Sequence, residues 1–178
     1  MSHQVSAVWQ PGKAGLADDV LSRGALEAVV RLPEWQLREM SFLGDVSLDI
    51  GGIGFRFTDI PVLDFIMSWR SGLKELTLRG AVRIELLEER GHVSLSLADP
   101  TVTIAWDGRS ASCSFVELLR AILSFAQSVL DDLTRANPHL LVNDFMEGLY
   151  RGLGMRDYGR EQFLRHSAAM KKRYRRTE

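Results

Sequence analysis

The stretch DIGGIGFRFTD, residues 49–59, holds the residue types of a phosphate-binding loop. Three glycines, at 51, 52 and 54, would let the backbone approach an anion, and an aspartate stands at each end. A phosphate loop also needs a helix N-terminus directly after it, so that backbone N–H groups point at the phosphate. Here the β-prone run FRF, residues 55–57, follows the glycines. The pattern therefore favours the turn of a β-hairpin over a phosphate site.

The remaining residues that could do chemistry are scattered. None of the four histidines (3, 92, 139 and 166) stands at a metal-ligand spacing from a Cys, an Asp, a Glu or another His. Cys113 is the single cysteine, and no base lies near it in the sequence. We interpret it as a small buried strand residue rather than a nucleophile. The sequence predicts no catalytic residue, no metal and no cofactor.

Composition is that of an ordinary globular protein. The chain has 178 residues, of which 46% are hydrophobic and 25% charged, with a net charge of −1. The N-terminus lacks a basic region followed by an apolar run, so a cleaved signal is not expected. The most apolar window, residues 121–130, is far shorter than the roughly 20 residues that span a bilayer. We expect a cytoplasmic protein that does not enter the membrane.

Charge is distributed unevenly along the chain. Residues 151–178 contain nine Lys or Arg and three acids, a net charge of +6, so residues 1–150 carry −7. A basic cluster near the C-terminus is a candidate contact with a partner: Lys171, Lys172, Arg173, Arg175 and Arg176. Because the rest of the chain is acidic, nucleic-acid binding is not expected. Contact with a protein, or with the acidic body itself, is the better interpretation.

Tryptophan supplies the other candidate partner-binding residues. Trp69 and Trp106 fall on predicted buried faces and are interpreted as core. Trp9 and Trp35 lie in less regular sequence, and tryptophan is enriched where proteins bind one another. We therefore predict that Trp9 and Trp35 contact a partner.

The chain divides into three predicted regions. Residues 1–24 form a partly ordered arm, residues 25–154 a single α+β domain, and residues 155–178 a basic C-terminal helix or tail. Helices are predicted near 60–73, 114–134, 138–153 and 159–174. The second of them opens with the capping-box pattern Ser-x-x-Glu, Ser114 to Glu117.

Strands account for most of the rest. Four runs from residue 75 to residue 107 form a predicted β-meander: ELTLRG, AVRIELLEE, HVSLSLA and TVTIAWD. The segments EAVVRL and QLREMSFL, on either side of Pro33, fit a strand about as well as a helical turn, and we favour strands. The resulting fold class is α+β, with one antiparallel sheet of about six or seven strands covered on one face by helices.

Two segments of the chain repeat one pattern. A shift of 56 residues aligns residues 46–69 with residues 102–125 without a gap, so that Gly52 meets Gly108. Each copy reads strand, glycine turn, strand, Thr or Ser, and amphipathic helix. Few of the aligned pairs are identical, so both an ancestral duplication and a chance similarity of two ββα units fit the alignment. In either case GGIG occupies the position of the hairpin turn DGRS.

The two ββα units resemble small uncharacterised bacterial α+β proteins, some of which are similar to the immunity proteins that neutralise polymorphic toxins. The resemblance is one of pattern over residues 45–150 and carries over no catalytic residue. It implies a binding module whose acidic body blocks a basic nuclease-type toxin. We therefore predict a non-catalytic protein-binding module, immunity-like or an accessory subunit of a bacterial complex. The alternative is a small-ligand-binding or enzymatic domain with a pocket between sheet and helices.

Overall fold

The structure, a computed structural model, describes residues 4–12, 29–86 and 91–154. These residues form seven strands: β1 Val5–Pro11, β2 Leu43–Ile50, β3 Ile53–Pro61, β4 Ala81–Glu85, β5 His92–Ala98, β6 Thr101–Trp106 and β7 Arg109–Ser114. The α-helices are α1 Glu34–Glu39, α2 Val62–Arg79, α3 Phe115–Ala136 and α4 Asp144–Gly152, and a 3-10 helix spans Pro138–Val142. The predicted α+β class is confirmed, as is the number of strands.

The strands lie in two antiparallel sheets rather than in the single sheet that we expected. The first sheet has the order β1-β2-β3 and the second the order β4-β5-β6-β7. Edge strands β3 and β7 lie next to each other, and the sheets meet through the rings of Phe57 and Trp106, whose centroids are 4.6 Å apart. The Arg109 guanidinium also donates a hydrogen bond of 2.8 Å to the carbonyl of Gly54. The break between sheets was not predictable from strand periodicity, which says nothing about which strands pair.

Both glycine turns are two-residue hairpin turns of the same kind. Gly51 and Gly52 have φ angles of 60° and 87°, and Asp107 and Gly108 have 49° and 71°. Positive φ at both central residues defines the type I′ turn, whose twist matches that of the strands it joins. Because strand β3, not a helix, follows Gly52, the hairpin interpretation of GGIG is confirmed.

The repeated ββα pattern is present in the fold. Under the shift of 56 residues, β3 starts in register with β7, both turns coincide, and a long helix follows each hairpin. Common ancestry of the two units is not decided by this correspondence and stays a prediction.

Each long helix packs mainly against the sheet that does not directly precede it in the chain. Helix α2 follows the first sheet in the chain but packs mainly against β4 of the second. Helix α3 follows the second sheet but packs mainly against β1 of the first, and the two helices also touch each other. One hydrophobic core contains the buried residues of both sheets and both helices, including the fully buried Trp69. Trp106 is half-buried and packs against the same core.

Several element boundaries differ from those predicted. Helix α2 continues to Arg79, so the predicted strand ELTLRG is helical, and Gly80 ends the helix in the left-handed conformation with φ 73°. Residues 36–39 of QLREMSFL lie in helix α1 rather than in a strand. This short helix lies on α2 and buries one residue, Leu37, in the core. The predicted helix 138–153 is divided at Asn143 into the 3-10 helix and α4.

The predicted capping box does not form. Ser114 precedes the first residue of α3, but its side chain makes no capping hydrogen bond. Within the predicted partly ordered arm, residues 1–24, Val5–Pro11 form strand β1. The rest of the predicted arm, in residues 13–24, and the predicted C-terminal helix lie outside the described residues.

Candidate functional site at the free edge of strand β1

Strand β1 is at the edge of its sheet, and within residues 4–12, 29–86 and 91–154 no strand pairs with its outer side. Gly51 donates its N–H to the carbonyl of Gln4, and Gly12 donates to the carbonyl of Leu43. Hydrogen-bonded pairs alternate along an antiparallel ladder. The even-numbered residues of β1 are therefore the ones bonded to β2.

The odd-numbered residues Val5, Ala7 and Trp9 consequently direct their backbone N–H and C=O groups away from the sheet. Their side chains point to the core face and are half-buried. An edge strand of this kind presents donors and acceptors at a fixed spacing, which the backbone of another extended chain can satisfy.

A cleft of about 370 Å³ runs along this edge, between β1 and helix α3. The strand contributes the wall formed by Gln4, Val5, Ser6 and Ala7. The helix contributes the opposite wall: Glu117, Arg120, Ala121, Ser124, Phe125 and Ser128.

The helix wall combines small side chains with one free cation. Ser124 and Ser128 lie one turn apart and are exposed, and Ala121 is half-buried below them. Arg120 is exposed and makes no ion pair with any other residue in the described part of the chain. With Glu117 it supplies the titratable groups that line this cleft. The pocket between sheet and helix that our alternative hypothesis required therefore exists as an open cleft holding a carboxylate and a guanidinium.

Trp9 lies on β1 beyond this cleft and is part of the sheet packing. Its side chain is half-buried, and its indole N–H is buried without a hydrogen-bond partner among the described residues. The indole covers Gly44 on β2, where a methyl group would overlap the indole nitrogen and the carbonyl oxygen of Gln10. The contacts of Trp9 thus position β1 on β2.

Trp35 lies on helix α1 and is 51% exposed. It is separate from the β1 cleft, since it does not line that cleft. The predicted basic cluster, Lys171, Lys172, Arg173, Arg175 and Arg176, lies outside the described residues. Trp9 and Trp35, the two predicted partner-binding residues that the structure describes, lie on different elements, and neither lines the cleft.

Asp45 organises the bulge at which β2 shifts its register against β3. Its carboxylate accepts a hydrogen bond from Arg56 at 2.7 Å and another from the backbone N–H of Asp59 at 3.0 Å. The Arg56 side chain and this backbone N–H hold the pKa of Asp45 below its usual range. Because Asp59 has a φ of 52°, the contact fixes a left-handed residue just before helix α2.

Cys113 gives a prediction that tests its interpretation as a core residue. It is buried, and burial, followed by the nearby charge of Glu117, raises its pKa to about 11. The thiol stays protonated at pH 8, so we expect its reaction with a thiol reagent to be about a hundredfold slower in the native protein than in denaturant. Stopped-flow labelling measures both rates. Equal rates at pH 8 would contradict the buried position.

No direct signal in the sequence marks the cleft. The apolar, β-prone residues of VSAVW, residues 5–9, were available as a strand signal. Ser124 and Ser128 are small polar residues one turn apart in the amphipathic helix α3, so they lie off its apolar stripe. That β1 and α3 face each other depends on the packing of α3 against the first sheet.

In the parts of the chain that the structure describes, no three His, Cys, Asp or Glu side chains come together to hold a metal ion. No helix there is long and apolar enough to cross a membrane. The fold and the cleft define an α+β protein with two antiparallel sheets and an open strand edge. The chain matches no protein-family model, no curated protein and no solved structure.

Proposed function

We propose that this chain is a non-catalytic protein-binding module that takes up an extended segment of a partner protein by strand addition to β1. One observation supports it above all: the outward backbone groups of Val5 and Ala7 lie along an open cleft whose far wall is a helix, and those of Trp9 continue the same strand edge beyond it. In strand addition, main-chain hydrogen bonds hold the peptide and the facing wall selects its side chains.

The chemistry of the cleft defines the segment that fits it. Each backbone hydrogen bond adds only about 1 kcal/mol net, so the ladder alone binds weakly. The small side chains of Ala121, Ser124 and Ser128 leave room for the side chains of an added strand. Arg120 favours an acidic residue at the position opposite it. The expected ligand is a short extended segment with one acidic residue and otherwise small or apolar side chains.

The immunity-protein resemblance suggests the class of partner. Residues 1–154 carry a net charge of −6, which favours encounter with a partner of positive overall charge, such as a basic nuclease-type toxin. A bacterial cytoplasmic setting belongs to this proposal, since the single cysteine cannot form an internal disulfide.

Panning of short random peptides against the full chain, followed by amide hydrogen exchange, tests strand addition. We expect the selected peptides to slow exchange at the amides of Val5, Ala7 and Trp9, because the carbonyl groups of an added strand accept hydrogen bonds from these N–H groups. The amides of Ser6 and Val8 already bond to β2 and should change little. This alternation distinguishes strand addition from general coverage of the surface.

A matched pair of variants tests the helix wall. Ser124→Arg fills the cleft, and we expect it to weaken peptide binding by about tenfold or more. Gln127→Arg introduces the same side chain at an exposed position of α3 that does not line the cleft, and it should leave affinity unchanged. Peptides that bind both variants equally, or a library from which no peptide is enriched, would contradict the proposal.

A further inference from the structure

A second, apolar groove of about 260 Å³ lies between helices α2 and α3. Its floor is formed by Ile66, Leu119, Ile122 and Leu123, of which Leu119 and Leu123 are only half-buried. It shares no lining residue with the cleft beside β1. An exposed groove lined by apolar side chains between two long helices has a shape that a third helix could fill.

One end of the groove is where the described chain ends. Leu153 lines the groove, and Gly154 follows it with a φ of 69° after the last turn of α4. The chain turns at this point, directly beside the opening. Residues 155–178, which are 24 in number, start within one residue of the groove.

The sequence of these residues has the pattern that the groove requires. Phe163, Met170 and Tyr174 are spaced by seven and four positions, which places them on one face of a helix. The described fold offers them an apolar surface of matching character between α2 and α3.

Two cations stand at the rim of the groove. Arg70 and Lys74 lie four residues apart on α2, both exposed and neither paired with an acid in the described ranges. The guanidinium of Arg70 lies against Gly152, close to where the chain leaves α4. Asp157 and Glu161 are likewise four apart, but Arg156 and Arg160 balance their charge at the start of the segment. The assignment of the segment to the groove therefore rests on its apolar residues and on the place where the chain leaves α4.

We propose that residues 155–178 occupy the groove between α2 and α3 of their own chain, with Phe163, Met170 and Tyr174 against its apolar floor. This contact goes beyond the proposed function, because it uses a different face of α3. It assigns the basic C-terminal segment an intramolecular role on the acidic body and leaves its Lys and Arg side chains on the outer face.

Cysteine labelling of the full-length protein tests this proposal. Thr77 and Val116 are both exposed, but only Thr77 lines the groove. We expect Thr77→Cys to react at least about tenfold more slowly than Val116→Cys when the segment covers the groove. Adding Phe163→Asp should remove that protection. The matched control Arg165→Asp, on the opposite face of the segment, should leave it unchanged, with native circular dichroism in every variant.

Three outcomes would overturn the proposal. Equal labelling of Thr77→Cys and Val116→Cys would show an uncovered groove. Protection that persists in Phe163→Asp would show a different cover. Protection that disappears on dilution would assign the groove to a second copy of the chain. The labelling does not involve the β1 cleft. A negative result here therefore does not contradict strand addition, and a failure of peptides to bind at β1 does not contradict the docking of residues 155–178.

Discussion

Asn143→Asp should destabilise the protein by about 3–5 kcal/mol at pH 7, because it places a carboxylate against buried backbone carbonyls. The Asn143 side chain is 1% exposed. Its amide nitrogen donates to the carbonyls of Val29 and Leu32, each at 3.0 Å. Its oxygen accepts from the N–H groups of Phe145 and Met146 and so caps helix α4. The substitution keeps the cap and loses both donors.

Chemical denaturation at several pH values measures this effect. The introduced carboxyl faces carbonyl oxygens in the folded state, so its pKa is higher there than in the unfolded chain. The lost stability should therefore return in part as the pH falls through that raised value. Asn137→Asp is the matched control, because Asn137 caps the 3-10 helix by accepting from the N–H of His139 and keeps that bond as an aspartate. Equal losses in the two variants would contradict the role of the Asn143 amide.

Gly44→Ala should cost about 2–4 kcal/mol and weaken peptide binding at the same time. The added methyl group would overlap the indole nitrogen of Trp9 and the carbonyl oxygen of Gln10. The backbone atom cannot rotate away as a side chain can, so β1 has to move off β2. Thermal unfolding gives the stability change, and hydrogen exchange at Ser6 and Val8 reports the loosened ladder.

Gly54→Ala is the control for the Gly44 substitution. Gly54 lies on β3 in the same sheet, and a methyl group there would meet no atom within 4 Å. Its carbonyl, which accepts from Arg109, is retained in alanine. We expect its stability to stay within about 0.5 kcal/mol of the parent. A Gly44→Ala variant as stable as Gly54→Ala would show that the close contact of Trp9 with β2 is unimportant.

The features predicted correctly from the sequence are those encoded over a few residues. Both hairpin turns follow from glycines that tolerate positive φ, at Gly52 and Gly108, between runs of alternating apolar residues. The long helices follow from apolar spacing. The start of α2 was placed within two residues by Pro61, which directly precedes the first helical residue.

The features missed depend on contacts between distant residues. The run ELTLRG has β-like alternation, but Leu76 is buried against the core while Leu78 is exposed, and the helix continues through both. Asn143 falls inside the predicted helix 138–153, and its bonds to Val29 and Leu32 cross more than 100 positions of chain. The β1 cleft requires α3 to lie on the first sheet rather than on the sheet that precedes it in the chain, which no local pattern specifies.

The crossing of the two long helices has a consequence for how the chain could be divided. Helix α2 follows the first sheet but rests mainly on β4 of the second, and α3 follows the second sheet but rests mainly on β1 of the first. A cut between α2 and β4 would leave each part with an uncovered helix stripe and an uncovered sheet face. The two sheets are therefore parts of one folding unit, although each is built from strands that follow one another in the chain.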